Sequence, residues 1–105
     1  MTHDVHVSRT AQVAINEYAS YLATEQQAPQ AASQMLERIW DGISSLETFP
    51  CRCPLAPENK FSKLEIRMLR VNAMLILFTA SDDAKRVDVL AVRHGRQQPL
   101  TRLDR

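Results

Sequence analysis

His94 stands between Arg93 and Arg96, with Gly95 beside it, where the apolar run of "VDVLAVRHGR" stops. An imidazole has the side-chain pKa closest to neutrality, so it can take and give a proton near pH 7. Guanidiniums present paired N–H donors that match a carboxylate or a phosphate. Together these residues suit proton transfer beside an anion, or the plain holding of an anionic partner. The third reading is a solvated strand end, because most exposed charges contribute little. Arg67, in "LEIRMLRV", is the further cation that can join the group if the fold brings it near.

Other chemistry is poorly supplied. Cys51 and Cys53 lie one residue apart in "FPCRCPLAP" and read as free thiols in a proline-rich loop. A disulfide across one residue is strained, and two thiols without a second ligand pair do not make a tetrahedral metal site. His3 and His6 fall on opposite faces of a short strand and lack a third ligand. Two glycines in the whole chain exclude a phosphate-cradling loop. No metal site and no organic cofactor is expected.

The elements that must position these residues follow from periodicity. "DVHVS" alternates as a first strand, and Ser8 is placed to cap the helix that follows. Ala11, Ala14, Ile15, Tyr18, Tyr21 and Leu22 recur at helical spacing. "QAP" breaks that helix, and Pro29 fits the first turn of a second. Its stripe is Ala32, Met35, Leu36, Ile39, Ile43 and Leu46. Gly42 within it predicts close approach of the two helices, and Trp40 sits at the stripe's edge. Three strands follow a proline-rich loop: "LEIRMLRV", "MLILFTA" and "RVDVLAV", with a turn at Asn72 and another in "SDDAK". The order is β-α-α-β-β-β. This is an α+β fold, a helical hairpin packed on one face of a small, mainly antiparallel sheet. Leu64, Ile66 and Met68 are expected to meet the helices, which sends Arg67 to the uncovered face. Gly95 is expected to turn the chain with a positive φ.

Residues 1–105 make one domain, with a flexible tail over 97–105. No apolar run is long enough to span a membrane, and no secretory h-region precedes the first strand, so the cytoplasm is the expected compartment. The net charge of +1 hides a polarity. Residues 1–50 carry two arginines against six carboxylates, net −4, and residues 51–105 carry eleven cations against six carboxylates, net +5. The basic half suits phosphate or an acidic protein segment.

The element order, "LETFPCRCPLAPEN", "EIR", "LILF" and the closing "VDVLAVRHGR" together resemble the RelE/ParE toxin superfamily of bacterial type II toxin–antitoxin systems, over about residues 3–99. The resemblance implies a toxin neutralised by a cognate antitoxin protein. ParE-like members poison DNA gyrase, whereas RelE-like members cut mRNA on the ribosome through the RNA 2′-OH. It also implies contact roles for Arg67, Arg93, His94 and Arg96. In a nuclease, His94 would be the base, with Arg67 and Arg96 on the phosphate. Many relatives carry Tyr-Arg where this chain has Met74-Leu75, and the tail "QQPLTRLDR" has no tyrosine. With those groups missing, the ParE-like reading leads and no catalytic residue is assigned. The other readings are a ribosome-dependent mRNA endonuclease and an inactive homologue that only binds antitoxin.

Overall fold

Ser8 ends the first strand and opens the first helix with one side chain. Its Oγ accepts a hydrogen bond from the Ala11 N–H at 3.0 Å and donates to the Leu90 carbonyl at 2.9 Å. Such a cap typically contributes about 1 kcal/mol, and here it also ties the helix to the last strand. In the computed structural model, which describes residues 2–101 and 103, the elements are β1 (Asp4–Val7), α1 (Arg9–Thr24), α2 (Pro29–Ser45), β2 (Arg67–Val71), β3 (Met74–Ser81) and β4 (Arg86–His94). This is the expected β-α-α-β-β-β, α+β arrangement. Pro29 takes the first turn of α2, and Gln27 turns the chain before it at φ 49°.

The sheet order is β1-β4-β3-β2. β1 runs parallel to β4, and the other two pairs are antiparallel. Leu77 pairs with Ala91 and Phe78 with Val89, so Leu90 is an extra, bulged residue. Both Leu90 and Ala91 consequently join the core on the face away from the helices.

The helices cover one face of the sheet. Ile15, Ile39 and Ile43 pack there with Ile76, Phe78, Val87, Val89 and the half-buried Leu69 and Val71. This corrects the expected facing of β2. Leu69 and Val71 meet the helices, while Ile66 and Met68 belong to the opposite cluster. "MLRV" is apolar on both faces, and a slip of one residue exchanges every side chain between faces. Gly42 decides the matter. A Cβ there would lie 2.9 Å from Val71 Cγ2 and 3.4 Å from Leu69 Cδ2. The glycine therefore permits close approach of α2 to the sheet, and not of the two helices to each other.

The opposite face is covered too, contrary to expectation. Ala56, Ile66, Leu75, Leu77 and Leu90 form a second core, closed over by Leu64, Leu100 and Leu103. The loop 54–66 reaches it because Ala56 N–H bonds the Ile66 carbonyl and Ile66 N–H bonds Asn59 Oδ1. This pulls residues 64–66 out of the strand they were expected to begin. In the tail, Leu100 and Leu103 pack against this second core, while residues 102, 104 and 105 lie outside the described residues. Both cysteines are free, and burial pushes the Cys53 thiol up despite nearby Arg52 and Arg67.

Candidate functional site

The cluster singled out in the sequence sits at one end of the sheet. His94 closes β4 opposite Met74, the first residue of β3, and Met74 lies opposite Val71, the last of β2. Alternation aims His94 to the helix side, where its ring meets Tyr18 edge-on at a centroid distance of 6.0 Å. Tyr18 in turn stacks on Tyr21 at 6.2 Å. A cleft of about 460 Å³ opens between α1 and this sheet end, lined by Tyr18, Tyr21, Met74, His94, Gln97 and Leu100 among others.

A short network fixes the turn after β4. Gly95 N–H donates to the Ala73 carbonyl at 2.7 Å, and Gln97 N–H to the His94 carbonyl at 3.1 Å. His94 N–H donates to Gln97 Oε1, and Arg96 N–H to His94 Nδ1 at 3.0 Å. The last bond has a chemical consequence. Nδ1 is the acceptor, so the proton of the neutral ring sits on Nε2. The nitrogen left free of Arg96 is then a donor, which suits anion contact and does not suit proton abstraction.

Arg93 is placed differently from the expectation. Its side chain is 4% exposed and Glu58, its partner, is fully buried. Nε bonds Glu58 Oε2, and Nη2 bonds Glu58 Oε1 at 3.1 Å. Nη1 donates to the carbonyls of His94 and Gln97, each at 3.2 Å. Glu58 Oε2 also accepts from the Leu100 N–H at 3.0 Å. Burial works to raise the Glu58 pKa, but the hydrogen bonds from Arg93 and Leu100 outweigh it and hold the carboxyl below its usual value. Each of the three guanidinium nitrogens is bonded to Glu58 or to a carbonyl of the following turn, so Arg93 supports the turn and is no surface contact.

Arg67 is not part of this cluster either. It pairs with Phe78, four residues along the strand from the Val71–Met74–His94 register, roughly 13 Å at about 3.3 Å per residue. Its Nη1 donates to the Cys53 carbonyl at 2.7 Å and its Nη2 bonds Glu65 at 2.8 Å. It fastens the proline-rich loop to the edge of β2. The arginine that does reach the turn is Arg70, which its local sequence does not mark out. It lies opposite Leu75, which lies opposite Arg93. A Cβ on Gly95 would come 3.3 Å from Arg70 Nη2 and 3.4 Å from the Ala73 carbonyl oxygen. Gly95 has no positive φ. Its value is the absence of a side chain beneath that guanidinium, which corrects the expected turn role. Arg70 and Arg96 are both exposed. Counting residues outward from the turn at Asn72 would have placed Arg70 beside Gly95.

The end of the sheet thus carries Arg70 on the face away from the helices and His94 Nε2 on the helix side, with the exposed Arg96 two residues beyond His94. Leu75, where relatives are expected to carry an arginine, is buried in the second core. His3 bonds Asp82 at the opposite end of β4 and does not join His6. Among the described residues no group of three or more His, Cys, Asp and Glu side chains could hold a metal ion. No helix among them is long and apolar enough to cross a membrane.

Comparisons agree with this architecture. The chain aligns with the ParDE toxin–antitoxin structure from P. aeruginosa at TM-score 0.65 and 15% identity, covering 89% of this chain and 96% of that one. It aligns with the RelBE2 toxin–antitoxin complex from Mycobacterium tuberculosis at TM-score 0.54 and 18% identity, covering 90% and 99%. These likenesses are of fold. Comparison with curated proteins finds no match. The family described as ParE toxin of type II toxin–antitoxin system, parDE, matches residues 5–99. With nearly the whole sequence matched, from β1 to the turn beyond His94, this chain belongs to the ParE toxin family.

Proposed function

We propose that this protein is a toxin that inhibits DNA gyrase and is neutralised by a cognate antitoxin protein. The observation that carries the choice of target is the donor-only turn. Arg70, Arg96 and His94 Nε2 offer hydrogen-bond donors to an anionic surface, and the one lone pair of the imidazole is taken by Arg96 N–H. RNA cleavage through a 2′-OH needs a general base with an open lone pair and cations on the phosphorane. Position 75, which would supply a central cation, is a buried leucine. Recognition of carboxylate or phosphate asks only for the donors.

The antitoxin partner is supported by the family match and by the two toxin–antitoxin structures of the same fold. The second sheet face is occupied by the chain's own loop and tail. The helix-side cleft beside Tyr18 and Tyr21, lined in part by His94, is a groove suited to an antitoxin segment.

Expression alone and together with the adjacent antitoxin gene tests the reading as a whole. Growth arrest relieved by co-expression is expected. Harmless expression alone makes the chain an inactive homologue that only binds antitoxin. Codon-positioned mRNA cuts on translating ribosomes would replace gyrase with the ribosome.

A further inference from the structure

We infer that Glu58 is a positioning residue for the turn at the end of β4, and that the Glu58–Arg93 pair is a latch holding residues 94–100 in their working shape. The pair joins parts of the chain 35 residues apart. Glu58 comes from the 3-10 turn Pro57–Phe61 in the proline-rich region, and Arg93 from the end of β4. Glu58 Oε2 also accepts from Leu100 N–H. Arg93 spends Nη1 on the carbonyls of His94 and Gln97. Every backbone group that the latch engages beyond itself belongs to the segment 94–100. The segment carries Arg96 and His94 directly, and its Gly95 sits against Arg70.

Core packing alone does not call for such a pair. Two charges out of water cost several kcal/mol, and an apolar pair of similar volume is often as stable or more so. Apolar neighbours are at hand already: Leu75 lies opposite Arg93 and Leu100 bonds Glu58 through its N–H, and both leucines belong to the second core. What an apolar pair cannot do is hold three backbone groups of one turn at fixed positions. The charged pair costs desolvation and in return sets the direction of the segment after β4. The carboxyl's lowered pKa keeps the latch closed through the neutral range. The latch is a matter of geometry alone. Its effect on toxicity rests on the reading above, in which this turn meets the target.

Two variants test it. Glu58→Gln removes the charge at constant size. Glu58→Leu with Arg93→Met replaces the pair by apolar groups and keeps the core filled. Amide hydrogen exchange of the purified protein reads both. Arg96, Gln97 and Leu100 are expected to exchange at least tenfold faster, measured relative to Ile76 and Leu77 in the centre of β3. Gyrase inhibition is expected to fall at least tenfold in the same variants, with Asp83→Asn, in the exposed β3–β4 turn, as an unaffected control. Protection of 96–100 that changes only in step with Ile76 overturns the inference, because the pair is then merely structural. Failure of both variants to fold overturns it too. A loosened turn with full gyrase inhibition leaves the latch standing and overturns the assignment of this turn as the target contact.

Discussion

Arg70 lies so close over Gly95 that a methyl group on the glycine would come 3.3 Å from its Nη2. Two elements far apart in sequence, the end of β2 and the turn after β4, meet there. Gly95→Ala puts the methyl against the mobile end of a side chain and 3.4 Å from the Ala73 oxygen. Stability is expected to change by about 0.5 kcal/mol or less, as for most surface substitutions. Growth inhibition on expression is expected to weaken, because the guanidinium is pushed off its position. Denaturant melts and colony counts of the same variant check the two halves.

Arginine substitutions separate the contact surface from its supports. Arg70→Ala and Arg96→Ala are expected to lower toxicity at least tenfold with stability held within about 0.5 kcal/mol. Arg67→Ala is expected to do the reverse. It loses the bond to the Cys53 carbonyl, costing about 1–2 kcal/mol, and keeps its toxicity. Equal toxicity of the Arg70 and Arg96 variants with the parent protein would show that the contact surface lies elsewhere.

Glu58 predicts an acid limb in the stability profile. Its folded-state pKa lies below the ordinary 4.5. The unfolded chain therefore binds the proton more readily, and stability falls as pH drops. The contribution is complete above about pH 5 and is lost progressively as pH falls through the lower folded value. Urea melts between pH 7 and pH 3 are expected to show the loss. In Glu58→Gln the curve starts lower and flattens over that range.

Gly42 is held by the sheet, so Gly42→Ala gives opposing effects. Alanine favours the helix by about 1 kcal/mol. Overpacking against a β-branched side chain costs typically 1–3 kcal/mol. The Cβ position 2.9 Å from Val71 Cγ2 puts the cost ahead. A net loss of about 1 kcal/mol is expected, lowering the melting temperature by about 4–8 °C. Pairing it with Val71→Ala should recover part of the helix gain, read as a positive coupling in a double-mutant cycle.

Periodicity carried the helices, the strands and their order, because both helical stripes are one-sided and β3 and β4 are continuous apolar runs. Ser8 and Pro29 marked their helix starts through chemistry that acts within one turn. The facing of β2 was not legible, since Met68 and Leu69 are equally apolar and only Gly42, in another element, chooses between them. The same ambiguity misplaced Arg67. Arg93 looked like a surface cation because its partner Glu58 is distant in sequence and nothing local signals a buried pair. The covered second face depends on Leu100 and Leu103, in a tail too short to show any periodicity. The cluster at His94 was legible from its residue types, while the place of Arg70 against Gly95 needed the register.

The most direct test of the account is a supercoiling assay with purified DNA gyrase, using the parent protein and the Arg70→Ala/Arg96→Ala double variant. Inhibition by the parent and at least a tenfold higher half-inhibitory concentration for the variant are expected, with mRNA on translating ribosomes left intact. Unimpaired gyrase in the presence of parent protein that arrests growth, or equal inhibition by parent and variant, would contradict it.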